Sequence, residues 1–190
     1  MSELLNEISK RRARRAIDTK QVPIEVIERI MTGATYAPSC FNNQPWRFIL
    51  VNEQEALEKV KTHLPEANYW VKKSPLIIMA VTDNELDCRL SDNRNYAFFD
   101  LGLSVENLIL QAVKEGLIAH PIAGFKPVPI KEAFGIPGGH TLLTLIVLGY
   151  PGDESHLNEK HLGLEHSDRD RKPLDSVVMY NRWDTAVAGD

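Results

Sequence analysis

Apolar positions along the chain follow two rhythms, one helical and one of short unbroken runs. Val26, Ile27, Ile30 and Met31 recur at three and four and predict a helix over residues 24–35. Pro23 stands at its start, and Gly33 and Pro38 bring it to an end. Ala56, Leu57 and Val60 mark an amphipathic helix within residues 53–64. The longest pattern spans 96–116, where Phe98, Leu101, Val105, Leu108, Ile109 and Ala112 recur and Gly116 is the stop. It is apolar over much of its circumference, so it is expected to be central or at a subunit contact, with its aromatics packed in the core. Residues 2–16, with Leu4, Leu5 and Ile8 on one side, and residues 130–134 complete the predicted helices.

The second rhythm gives strands at 48–51, 76–81, 117–122 and 141–148. Residues 76–81 are continuously apolar, as in a strand covered on both faces. Residues 83–95 are polar and irregular, a surface linker or a substrate lid. Residues 152–166 are read as polar connection. Helices alternating with short apolar strands imply an α+β fold with three layers, α/β/α, in a single domain over 1–190.

Composition narrows the function classes. At 190 residues, 43% hydrophobic and 25% charged, the chain has enough apolar content for a sizeable core. A formal net charge of −4 counts against a general nucleic-acid binder. No apolar run approaches a membrane span, and the first residues lack the basic and apolar regions of a secretory signal. Cys40 and Cys88 match no metal-ligand spacing, so no metal site is expected, and a reduced, cytoplasmic setting fits.

Candidate chemistry concentrates in two stretches. Ala37-Pro38-Ser39-Cys40-Phe41-Asn42-Asn43-Gln44-Pro45-Trp46 lies between a helix and a strand. It is either an ordinary connection or a rigid turn offering hydrogen bonds to a polar heterocycle. Lys10 to Arg15 is a basic cluster with three readings: a solvated face, a nucleic-acid patch, or a phosphate site for guanidinium forks. His120 is a tempting general acid, but no base or metal ligand accompanies it, so it is read as a packed, satisfied histidine.

The first stretch resembles the A-P-S-x-x-N-x-Q-P-W segment of the nitroreductase family, FMN-dependent oxidoreductases. The likeness runs with gaps from Lys10 to about Leu174 in four ordered patches. Lys10 to Arg15 resembles the R-R-S-x-R patch, with Ala13 where a serine is usual. Leu117 to Gly124 resembles G-L-x-x-x-P-I-x-G, and Arg169 to Leu174 resembles the C-terminal R-x-P-L patch, Arg171 matching better than Arg169.

The resemblance implies a mostly antiparallel central sheet flanked by helices. It also implies an FMN site made by Arg11, Arg12, Ala13, Arg15, Pro38, Ser39, Cys40, Asn42, Gln44, Ala123, Gly124, Arg169 and Arg171. FMN would sit at a homodimer interface, with residues 175–190 as an arm on the partner subunit. Ping-pong chemistry follows, in which NADH or NADPH reduces the flavin and a small acceptor such as a nitroaromatic or quinone reoxidises it. No catalytic side chain is expected. Either Lys72 or Lys73 would approach the flavin. Cys40 replaces the usual serine; with no neighbouring cation in sequence it is expected to be an inert thiol, and Cys88 has no assigned role. The alternatives are a non-catalytic FMN-binding sensor or carrier, and a nucleic-acid binder using the basic cluster.

Overall fold

The computed structural model describes residues 4–185. Four strands, β1 (Arg47–Val51), β2 (Leu76–Thr82), β3 (Ile118–Ile122) and β4 (Thr141–Gly149), pair in the order β1-β2-β4-β3. All three pairings are antiparallel. Around the sheet lie α1 (Asn6–Lys10), α2 (Ile24–Thr35), α3 (Gln54–Lys61), α4 (Tyr96–Lys114), α5 (Pro127–Ala133) and α6 (Glu159–His166).

Alternation along β2 and β4 divides the core in two. Leu76, Ile78, Ala80, Ile146 and Leu148 face α2 and α4, meeting Ile27, Ile30, Leu101 and Leu108. Ile77, Met79, Val81, Leu145 and Val147 face the other way, onto Leu57 and Val60 of α3, Ile130 of α5 and Trp70. Each fully buried aliphatic side chain here contributes roughly 1.5–3 kcal/mol. The expected α+β, three-layer arrangement is therefore present, with β2 buried along its whole length.

The N-terminal helix is shorter than its sequence suggests. Only Asn6–Lys10 is helical, and Arg11 to Ala16 run extended. The basic residues have no apolar stripe to bury. Their backbone instead leads to a joint beyond β4, where Ile17 bridges Pro151, Asp18 N–H donates to Tyr150 O (2.8 Å) and Gly152 N–H donates to Ala16 O (2.8 Å).

Two further expectations are corrected. In α4, Leu101, Leu108 and Ala112 are buried, but Phe98 is half-buried and Phe99 is 56% exposed, so its aromatics are not all core. The inward face carries Asp100 and Ser104 instead; Ser104 Oγ donates to Ala34 O (2.8 Å). Residues 159–166 form α6 rather than a loop. Its signal is inverted, because His161 and Glu165 are buried while Leu162 and Leu164 are exposed. Asn158 caps it, accepting from His161 N–H at 2.9 Å. Trp183, in the C-terminal arm, is 69% exposed in the single chain. The arm's last residues, 186–190, lie outside the described residues.

The joint at 16–18 leaves no room for a side chain at residue 152. A Cβ on Gly152 would lie 2.6 Å from Asp18 N and 2.8 Å from Asp18 Cα. Gly152→Ala is expected to lower stability by about 1–3 kcal/mol, as overpacking does. In urea denaturation this shows as a lower midpoint at unchanged slope. An unaltered midpoint would mean that the joint yields without cost.

Candidate functional site

The extended backbone of 11–15 lays its guanidinium groups along one cleft of about 320 Å3. Arg11, Arg12, Ala13, Arg14, Arg15, Arg169 and Arg171 line it, with Asp168 and Asp170. The sequence reading placed these cations in two patches more than 150 residues apart, and the structure brings them together. Arg12 Nη2 donates to Ser167 O (2.6 Å). Arg169 donates to the carbonyls of Ile8 (3.3 Å), Ser9 (2.9 Å) and Arg11 (2.6 Å), so it braces the strip. Among the described residues Arg171 donates to its neighbour's carbonyl alone, Asp170 O (2.6 Å), and the rest of its fork meets no described acceptor. Burial and the nearby Arg11, Arg171 and Arg12 charges push the Arg169 pKa down, the mark of positive charge crowded without enough counter-charge.

Glu165 anchors the inner end of the strip. It is 2% exposed, accepts from Arg15 N–H (2.5 Å), and its second oxygen lies 3.7 Å from Arg14 Nη1. The Arg15 guanidinium stands over the Trp70 ring at 5.8 Å. Trp70 in turn stacks on His120 at 4.7 Å. His120 Nδ1 is 2.9 Å from Arg14 O, which assigns the proton to Nδ1, since a carbonyl accepts. Burial pushes the His120 pKa from 6.5 down to about 4, with Arg15, His161 and Arg11 adding to the effect and the Arg14 contact opposing it. His120 is thus a packed, neutral, satisfied residue, as its sequence context suggested.

The neighbouring residues 66–73 form a kinked 3₁₀ segment that connects this strip to the β3 end. Tyr69 stacks on His161 of α6 (5.4 Å), and its hydroxyl accepts from Asn158 N–H (2.7 Å). Asn68 Nδ2 donates to Gly124 O (2.7 Å), holding the turn after β3 that contains Ala123. Asn68, Tyr69 and Lys72 line a cavity of about 720 Å3 together with Lys61 and Pro65. Of the two lysines Lys72 and Lys73, it is Lys72 that lines this space.

Pro38 to Gln44 occupies a separate place. Phe41, Asn42 and Gln44 have φ of 48°, 57° and 51°, the left-handed region. Such residues cost on the order of 1–3 kcal/mol each and persist only where their surroundings hold them. Cys40 N–H donates to Asp100 Oδ2 (2.7 Å), Gln44 N–H to Ser39 Oγ (3.0 Å), and Thr82 Oγ1 to Pro45 O (2.9 Å). Asn43 Nδ2 donates to Asp87 Oδ1 (3.2 Å). Cys40 and Cys88 form a disulfide, so the expected inert thiol at Cys40 is corrected: both sulfurs are engaged with each other and neither is a free thiol. Beneath it, burial first and then the facing Asp87 carboxyl raise the Asp100 pKa, against the Cys40 N–H. Asp87 Oδ2 is buried and has no hydrogen-bond partner among the described residues. The cleft of the basic strip is lined by no residue of this turn.

A model of the nitroreductase family matches residues 8–68 and 58–150. The chain belongs to the nitroreductase family. A protein of Archaeoglobus fulgidus, provisionally named NADH dehydrogenase/NAD(P)H nitroreductase, is 31% identical over 165 residues, covering 84% of this chain and 91% of the relative. Human iodotyrosine deiodinase 1 is 26% identical over 205 residues, covering 93% of this chain and 67% of the relative. A crystal structure described as an oxidoreductase containing FMN matches with a TM-score of 0.85 at 26% identity, covering 96% of this chain and 94% of that one.

Within this nitroreductase-family chain, the residues that sequence reasoning missed are those that position others. Glu165 holds the strip, Tyr69 holds the start of α6, Asn68 holds Gly124, and Asp87 and Asp100 hold the 38–44 turn. A signal existed for Asp100, a carboxylate between Ala97, Leu101 and Ser104 on the inward face of an apolar helix. None existed for Glu165, whose helix lacks an apolar stripe.

His120 gives a pH dependence. The unfolded chain protonates it near 6.5 and the folded chain only near 4. Its contribution is present above pH 6.5 and is lost as pH falls towards 4, because the unfolded state binds the proton first. Between pH 7 and pH 5 this amounts to about 2 kcal/mol. His120→Gln is expected to flatten the pH dependence of urea midpoints by that amount. An identical pH profile in the variant would show that His120 is not the titrating group.

Proposed function

We propose that this protein is an FMN-dependent oxidoreductase that takes reducing equivalents from NADH or NADPH and delivers them to a small organic acceptor by a ping-pong route. The single observation that carries the reading is the cleft in which Arg11, Arg12, Arg15 and Arg171 converge. Guanidinium forks suit phosphate oxygens, and Arg171 has fork nitrogens that no described protein group occupies. The residues present therefore fit an FMN phosphate, although Ala13 offers no hydroxyl. Bound FMN supplies the hydride chemistry, accepting and releasing hydride at N5.

The chain's own residues do the rest. Arg12 and Arg171 bind the phosphate. Arg15, half-buried over Trp70, supplies fixed positive charge that favours the reduced cofactor. The backbone of Ala123 and Gly124, held by Asn68, offers a donor at the β3 end. Lys72 adds a second cation to the adjoining cavity. Because the 38–44 turn lies apart from the strip, its contribution comes from a second copy, and the working unit is a homodimer. The exposed Leu174, Val177, Tyr180 and Trp183 then belong to the arm that packs on the partner. Nitroaromatics and quinones are suitable acceptors, and the human relative's name adds halogenated aromatics.

Two outcomes follow. The purified protein is expected to be yellow, dimeric by light scattering, and to oxidise NADH or NADPH when an acceptor is supplied; flavin retention without nicotinamide turnover would make it a carrier or sensor instead. Replacing Arg12 and Arg15 with Ala is expected to release FMN. Each charge-assisted contact is worth roughly 1.5–3 kcal/mol, about 10- to 150-fold in affinity. Unchanged FMN affinity, measured by fluorescence titration, would make the cluster a solvated face.

A further inference from the structure

Cys40 and Cys88 are 48 residues apart in sequence, and their Cα atoms are 6.2 Å apart in the fold. Their bond covalently joins two segments that are otherwise held together only by side-chain hydrogen bonds. One is the 38–44 turn, with its three left-handed residues. The other is 83–95, where a short 3₁₀ turn at Asn84–Leu86 and a bridge between Arg89 and Asn95 make the local structure. Both cysteines are half-buried. Cys88 lines a cleft of about 220 Å3, with Arg89, Arg94 and Tyr96 around it. A small thiolate can therefore reach its sulfur without the fold opening.

We propose that the Cys40–Cys88 disulfide is a thiol–disulfide exchange site for a dithiol reductant, and that its reduction releases the 83–95 segment from the 38–44 turn. A thiolate of the reductant attacks Cys88 Sγ. The bond to Cys40 breaks, Cys40 leaves as a thiolate, and a mixed disulfide forms on Cys88. The reductant's second thiolate then attacks its own linked sulfur, and Cys88 leaves as a thiolate. The reductant departs as an intramolecular disulfide, the protein gains two electrons, and its two sulfurs take up the two protons that the reductant gave up.

What remains after reduction is specific. Asp100 still accepts from Cys40 N–H, and Asn43 still reaches Asp87 and the Cys88 sulfur, the latter at 3.6 Å. Asp83 stays near His140, with 3.4 Å between Oδ2 and Nδ1. The near end of 83–95 is thus kept while its middle loses its only covalent tie to the turn. The left-handed backbone at 41–44 loses the same tie. The turn that the proposed cofactor site draws from a second copy would then be ordered in the oxidised protein and loosened in the reduced one.

The test does not depend on flavin. Hydrogen–deuterium exchange is followed on the full chain, oxidised and after treatment with dithiothreitol, with thiols counted by alkylation. Oxidised protein is expected to show no alkylatable thiol even in denaturant, and reduced native protein to show two. Amides in 40–44 and 84–95 should exchange about tenfold faster or more after reduction, while those of β2 and β4 stay protected. Cys88→Ser should exchange like the reduced parent, with or without dithiothreitol. Equal exchange in the two states, thiols in the oxidised protein, or reduction that proceeds only in denaturant would each overturn the proposal.

Discussion

Burial of β2 on both faces is the constraint on which the other elements depend. A strand with seven buried residues must be covered by helices above and below, and by a strand on each side. α2 and α4 supply one cover, α3, α5 and Trp70 the other. Little of the core is left for polar chemistry, so functional groups collect where strands end. The turn before β1, the turn after β3 and the joint beyond β4 are those ends.

The ends differ in how they are held. At the β3 and β4 ends, charge and ring stacking do the holding. Arg15, Trp70 and His120 form a layered stack, and Glu165 ties the backbone of Arg15 to α6. Burial keeps His120 neutral, so it adds no cation to a place already crowded with guanidinium groups. The positive charge is left on the side of the cleft where an anion can meet it.

At the β1 end, a strained backbone is fixed by a buried acid pair and a covalent bond. Asp100 comes from the core-facing surface of α4 near its N-terminal end and is buried, an expensive place for a carboxyl. Part of its cost is offset by the hydrogen bond from the Cys40 N–H. Three left-handed residues in four positions would relax if left to themselves. The structure thus invests core polarity, a disulfide and backbone strain in one exposed turn.

The sequence by itself determined the layered fold, because periodicity reports burial directly. The four strands, the helices at 24–35, 54–61 and 96–114, and the basic cluster were all legible as runs or repeats. So was the family likeness, which rests on the turn residues Pro38 to Trp46 and on the ordered patches after it. Only the tertiary structure decided the extended path of Arg11 to Ala16, because the pairing of Ile17 with Pro151 is long-range and leaves no local mark. It alone showed α6, whose buried face is His161 and Glu165 and whose exposed positions are leucines, the reverse of the usual amphipathic signal. It alone joined Cys40 to Cys88, since spacing says nothing of which sulfurs meet once residues between them fold into two strands, an α-helix and 3₁₀ segments. Local pattern carries information about which side of an element is apolar; it carries none about which distant polar group waits there.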